Sequence, residues 1–160
     1  KDISYKPIGI IKTPHKKKVD TPIQPVSAKG HKGIIEVFPE YIKGLKDLDL
    51  FSHIILLYHF DRAGETKLLA KPFMDETERG IFSIRAPIRP NKIGISIVRL
   101  EKITGNELHV ADIDILDQTP LLDIKPFFPD FDNRPDATRG WVNKTSEEIN
   151  EFKADDRFGE

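Results

Sequence analysis

The chain has 160 residues, enough for one domain that buries about two-thirds of its unfolded surface without a staple, and its 38% hydrophobic and 32% charged residues are those of a globular protein. No apolar run approaches the roughly 20 residues of a helical membrane span, and the absence of cysteine excludes disulfides, thiolate catalysis and zinc–thiolate sites. The formal net charge of −1 argues against coating of nucleic acid by bulk attraction, yet eight lysines face two aspartates in residues 1 to 35, and nine carboxylates face five bases from residue 130 onward.

The opening Lys1-Asp2-Ile3-Ser4 lacks the apolar core of a signal peptide, so a cytoplasmic protein with no membrane partner is expected. Twelve prolines, against about eight at average usage, cut the chain too finely for long helices. Short strand signals bounded by Gly, Pro or charged turns give an all-β barrel or sandwich, mainly antiparallel. Ile8 and Ile10 mark the first strand and Gly33 to Phe38 the second. Pro39 suits a first helical position, and Tyr41, Ile42 and Leu45 share a face, which predicts a short helix next. The run Phe51 to Phe60 is apolar on both faces and reads as a central strand, buried on two sides or covered by a partner chain, with Ile54, Leu56 and Tyr58 as the outward row.

Ile81 to Arg85 and Ile93 to Leu100 follow as strands. In the latter, Ile93, Ile95 and Ile97 form a large-residue face and Gly94, Ser96 and Val98 a smaller one, so something is expected to pack closely on Gly94 and Ser96. From Glu107 to Leu116 the apolar parity flips, from Leu108 and Val110 to Ile113 and Ile115. A β-bulge at Ala111-Asp112 accounts for the flip, as does a strand apolar on both faces with Asp112 and Asp114 exposed. Thr145 and Glu148 form a capping box that opens a short C-terminal helix to about Lys153. The expected division is a barrel domain over residues 1–129 and a C-terminal extension over 130–160.

Dinucleotide and phosphate-loop glycine patterns, the Gly-x-Ser-x-Gly elbow and the His-Glu-x-x-His helix are all absent from the sequence. His53, His59 and Asp61 share parity, which suits a metal-dependent hydrolase, although strand histidines are more often hydrogen-bonded core residues. In Arg85-Ala86-Pro87-Ile88-Arg89-Pro90-Asn91-Lys92-Ile93-Gly94 the prolines stiffen the backbone, leaving Arg85 and Arg89 either as two forks for a planar anion or as caps on the carbonyls of a turn. In Asp114 to Pro126, Asp117 and Thr119 suit a turn closed by side chains before Pro120.

These two stretches, with Phe51-Ser52-His53 and the opening Pro7-Ile8-Gly9-Ile10-Ile11-Lys12-Thr13-Pro14, resemble the TrmO, or TsaA-like, tRNA methyltransferases, in an archaeal-type form. The resemblance runs from about Tyr5 to Pro129. It implies a β-barrel that forms a homodimer, binds S-adenosylmethionine near the subunit interface, and methylates N6 of a modified adenosine beside the tRNA anticodon. Carried over by position, the cofactor contacts are Pro25, Val26, Ser27, Asp61, Arg62, Arg85, Ile95, Ala111, Asp112, Ile113 and Asp114. Three positions depart from the family pattern: Asp61 where bacterial relatives usually have His, Lys92 for a common Pro, and Gln118 for a common Gly.

Such a transfer is an in-line displacement that needs positioning more than a strong base, with no metal. Asp114 and Asp117 are candidates for any proton acceptor. Lys16, Lys17 and Lys18, within the basic head, are the expected tRNA contact. A non-catalytic RNA-binding or small-ligand barrel is the alternative, and the metal-dependent hydrolase a second.

Overall fold

The computed structural model describes residues 1–16, 29–73 and 75–142. Six strands close into an antiparallel barrel: β1 (Gly9–Lys12), β2 (Lys32–Val37), β3 (His53–His59), β6 (Ile93–Thr104), β7 (Glu107–Ala111) and β8 (Thr119–Pro126), in the order β1-β2-β7-β6-β3-β8. Closure leaves no free sheet edge. Alternation sends one row of each strand inward, and Ile11, Ile35, Val37, Ile54, Leu56, Val98, Leu108, Val110 and Leu121 are each at most 1% exposed. Burial of each large aliphatic among these is worth about 1.5–3 kcal/mol.

The inward row of β3 is Ile54, Leu56 and Tyr58, which corrects the expectation that these residues face outward. The outward row is His53, Ile55, Leu57 and His59. On β6 the small face turns in: Gly94, Ser96 and Val98 are buried, whereas Ile93, Ile95 and Ile97 are 43%, 45% and 39% exposed. Interior size sets this choice. A Cβ on Gly94 would run into the rings of Tyr58 and Phe60, so the bulky aromatics of one strand fill the space that glycine leaves on its neighbour. Register places Ile55 opposite Ile97 and Leu57 opposite Ile95, giving the barrel an outward aliphatic face.

Between β2 and β3 the expected helix is a 3₁₀ helix, Pro39–Leu45, with proline in its first turn. Tyr41 and Leu45 pack on the core, but Ile42 is exposed. β6 and β7 meet at the two-residue turn Gly105-Asn106, where Gly105 has φ 61°, as the first position of a type II′ hairpin requires. Asn106 Nδ2 donates to the Val37 carbonyl at 2.9 Å, and the Val37 amide donates to the Asn106 carbonyl, tying the hairpin tip to β2.

Residues 60–92 leave the barrel and form a second, smaller core of Ala70, Ile81, Ile84, Ala86 and Ile88, with Phe73 and Trp141 against it. A two-stranded ladder, β4 (Leu69–Ala70) with β5 (Arg79–Gly80), supports it. The strand expected over Ile81 to Arg85 is a 3₁₀ turn, Ile81–Ser83, instead. Ile81 and Ile84 are both buried three residues apart, a helical-turn spacing, and among the described residues no strand pairs with them. After β8 comes a single helical turn, α1 (Pro129–Asp132). The helix expected from Thr145 to Lys153 lies outside the described residues.

Candidate functional site

Among the few buried polar side chains of the described residues, Ser96 from β6 meets Tyr58 from β3 and the segment leaving β7. Ser96 Oγ donates to Asp114 Oδ1 at 2.7 Å, and the Tyr58 hydroxyl lies 2.8 Å from Ser96 Oγ. Since the Ser96 proton goes to the carboxyl, Tyr58 is the donor to Ser96, and a chain of donors runs from Tyr58 through Ser96 to Asp114. Burial pushes the Asp114 carboxyl up to about 7, against the opposing pull of Ser96, its own amide and the Arg85 charge. Burial likewise raises the Tyr58 phenol far above its ordinary value, so it stays a neutral donor.

Asp114 stands here because the chain breaks direction just before it. The parity flip of the sequence is present: Leu108, Val110, Ala111, Ile113 and Ile115 are all buried. Its cause is a left-handed residue at the end of β7, Asp112 at φ 66°, and not a bulge at Ala111-Asp112. The irregularity of that ladder lies in β6, between Leu100 and Lys102. Asp112 Oδ1 accepts the Gly30 amide at 2.7 Å, fixing the turn. The segment that follows is held by the chain after β1: the Thr13 hydroxyl donates to the Ile115 carbonyl at 2.7 Å, the buried His15 ring meets the Ile113 carbonyl at 3.1 Å, and the Thr13 amide donates to Asp117 Oδ1 at 2.9 Å.

Asp117 also pairs with Lys16, and these donors hold its carboxyl below the usual range. Thr119 closes its turn on the Leu116 carbonyl at 2.6 Å, as the sequence suggests. Arg62, just past the end of β3, reaches across to the Asp117 carbonyl at 2.8 Å and Thr119 Oγ1 at 3.1 Å. Its neighbour Asp61 accepts from Arg62 Nε at 3.3 Å.

The two arginines of the proline-rich stretch divide. One guanidinium nitrogen of Arg89 donates to the carbonyls of Ile81, Ile84 and Ala86 at 3.4, 2.8 and 3.3 Å, the turn-capping reading of the sequence. Arg85 is exposed, makes no hydrogen bond among the described residues, and lies close enough for its charge to act on both Asp114 and Tyr58. It is the fork of the pair left for an anion. Lys92, where a proline is common, bonds Thr66 Oγ1 at 2.9 Å and the Arg89 carbonyl at 3.3 Å, adding a tie that proline cannot make. Gln118, where glycine is common, has φ 67°, a conformation that favours glycine.

Of the expected contacts, Asp114 and Arg85 therefore lie at the Tyr58–Ser96 pair, Arg62 is seated instead on the Asp117 carbonyl and Thr119, and Ile95, next in the chain to Ser96, is on the outward face of β6. Pro25, Val26, Ser27, Lys17 and Lys18 lie outside the described residues. Tyr58 and Ser96 are not among the site residues expected from the sequence; the signal for them is the small-residue face of β6, which calls for a close neighbour. Among the described residues no three metal-binding side chains cluster, and His53 Nδ1 engages the adjacent Ser52 hydroxyl at 2.8 Å. A separate groove of about 520 Å³, lined by residues such as Tyr41, Phe51, Ile124 and Pro126, contains none of the expected cofactor contacts.

Comparison with known proteins places these residues in context. The model of the tRNA-methyltransferase O N-terminal domain matches residues 10–133. A probable S-adenosyl-L-methionine-binding protein of Pyrococcus abyssi is 53% identical over 98% of this chain and 85% of its own length. A mouse tRNA (adenine(37)-N6)-methyltransferase is 34% identical over 79% of this chain and 31% of its own. The crystal structure of TrmO from Pseudomonas aeruginosa superposes with a TM-score of 0.75 at 36% identity, over 89% of this chain and 64% of that one.

Proposed function

The chain belongs to the tRNA-methyltransferase O N-terminal domain family, and on that premise we propose that it binds S-adenosylmethionine and transfers its methyl group to N6 of an adenosine beside the tRNA anticodon. The observation that carries the reading is the convergence of Arg85, which makes no hydrogen bond among the described residues, with Asp114 and the fixed strip Ala111 to Asp114. When bound, the cofactor supplies an electrophilic methyl group on a sulfonium sulfur. The residues present suit it: the Arg85 fork matches a carboxylate bidentately, Asp61 offers acceptors to ribose hydroxyls, and Ile95 adds an apolar surface beside the polar mouth. What the protein contributes is placement, holding the acceptor nitrogen in line with the methyl and excluding water around it.

A homodimer belongs to the same reading. Ile93, Ile95 and Ile97, with Ile55 and Leu57 beside them, make a continuous apolar face that a second copy would cover. Because Ile95 sits both on this face and beside the site, the cofactor would lie near the interface. Light scattering at micromolar concentration should give a dimer, and Ile97→Glu a monomer; a monomeric parent refutes this part.

For the cofactor, calorimetry decides. Arg85→Ala should weaken S-adenosylmethionine binding by about 1.5–3 kcal/mol, and Arg85→Lys should not restore it, since lysine lacks the fork. Binding equal to that of the parent refutes the assignment. For the RNA, alanine at Lys16, Lys17 and Lys18 should weaken tRNA binding and flatten its salt dependence by about 0.7–0.9 log units for each phosphate that is no longer neutralised, with cofactor binding intact. An unchanged salt slope refutes that role for the lysines.

A further inference from the structure

Any transfer to a nitrogen that carries hydrogen must dispose of a proton. The nitrogen lone pair forms the new bond to carbon, the carbon–sulfur pair leaves with sulfur, and the sulfonium becomes a neutral thioether. The N–H proton then has to go to an acceptor while its bonding pair stays on nitrogen. Of the two carboxylates that the sequence offers for this role, the structure separates their fates. Asp117 is tied down by Lys16, by the Thr13 amide and by Gln118. It is a joint between the chain after β1 and the start of β8, and its charge is already satisfied.

Asp114 has no ion pair among the described residues, although the Arg85 charge acts on it. Its donors are the neutral Ser96 hydroxyl and its own amide. The groups facing it from the packed elements are Tyr58 on β3, Ser96 on β6 and Arg85 from the proline-rich loop. The nearby Asp112 carboxylate is turned onto the Gly30 amide, and His15 meets the Ile113 carbonyl. The Tyr58–Ser96 chain ends inside the barrel, so it cannot relay a proton onward; its effect is to fix the orientation of the carboxyl at the mouth.

We propose, resting on the methyltransferase reading above, that Asp114 is the acceptor for the proton lost by the attacking base nitrogen, and that Ser96, backed by Tyr58, is its positioning residue. An acceptor poised near neutrality takes a proton in the reaction and returns it to solvent afterwards, whereas an ordinary surface carboxylate is too weak a base to help much.

The test uses the full chain, methyl-labelled S-adenosylmethionine and unfractionated tRNA from cells lacking this methylation. At saturating S-adenosylmethionine, Asp114→Asn should lower the single-turnover rate by about 10²–10⁴-fold, far more than any change in cofactor affinity. The ¹³C resonance of the Asp114 carboxyl in the protein alone should titrate near neutral pH. Ser96→Ala removes a donor that favours the ionised form, so it should move that midpoint upward together with the pH–rate profile. Labelling by Asp114→Asn at the parent's rate overturns the inference alone. So does loss of cofactor binding in proportion to rate, which would make Asp114 a cofactor ligand, and so does a carboxyl that titrates near 4. A parent that neither binds S-adenosylmethionine nor labels tRNA overturns the reading beneath it and the inference with it.

Discussion

Asp114→Asn should make the protein more stable above neutral pH. In the unfolded chain this carboxyl ionises near 3.8, and in the folded barrel near 7. The sign follows from proton uptake: between those values the folded state holds a proton that the unfolded state has released, so stability falls as pH rises. The contribution is fully present below about pH 4 and lost once pH passes about 7. Its size, taken from the separation of the two values, is about 4 kcal/mol, a large share of a stability of about 5–15 kcal/mol. Asparagine keeps an acceptor for Ser96 and has no proton to lose. Urea unfolding of parent and Asp114→Asn at intervals from pH 4 to 8 measures the difference directly: the variant's advantage should grow by up to about 4 kcal/mol across the range. Parallel stability curves would show that Asp114 ionises without strain and refute the reasoning from burial.

Gly94→Ala should destabilise the barrel by about 1–3 kcal/mol, because the added methyl must displace the Tyr58 and Phe60 rings in a closed interior; unchanged urea unfolding refutes the packing argument. Gln118→Gly should raise stability by up to about 1 kcal/mol, relieving a left-handed residue at φ 67°, which thermal unfolding would register as a few degrees. Arg89→Ala strips three carbonyls of their charged donor and should cost about 2–3 kcal/mol, with new proteolytic cuts within residues 60–92. The same digestion should leave Arg85→Ala like the parent, since that side chain holds no backbone in place.

Alternation made the strands legible, and glycine and proline marked their ends. What alternation could not give is the side of the sheet that faces inward, because β3 is apolar on both rows. Ile54, Leu56 and Tyr58 are inside only because β6 lines the interior with Gly94, Ser96 and Val98 and leaves room for them, a fact of pairing between strands about 40 residues apart. The stretch from Ile81 to Arg85 differs from its sequence pattern for a related reason: its apolar residues look extended in sequence, but the Ile81 and Ile84 carbonyls are taken by Arg89 and no strand among the described residues pairs with them. Arg85 was legible as a fork distinct from the turn-capping Arg89 only as one of two open readings of the motif, and the parity flip marked the stretch that holds Asp114. Tyr58 was hidden within an aliphatic run, and only its hydroxyl's partner on β6 reveals its role.

The two arginines of one motif show how the fold separates holding from binding. Arg89 commits its guanidinium to the backbone of the 60–92 excursion, and Arg85, four residues earlier, lies close enough for its charge to act on Asp114 while making no hydrogen bond among the described residues. Among the described residues the carboxyl it approaches is hydrogen-bonded by neutral donors only, which lowers stability at neutral pH. A structural carboxylate in that position would be better served by a close ion pair with Arg85, such as Lys16 gives Asp117. That this pair stays open while its neighbour closes is what a site needs if Arg85 is to meet an incoming anion and Asp114 an incoming proton.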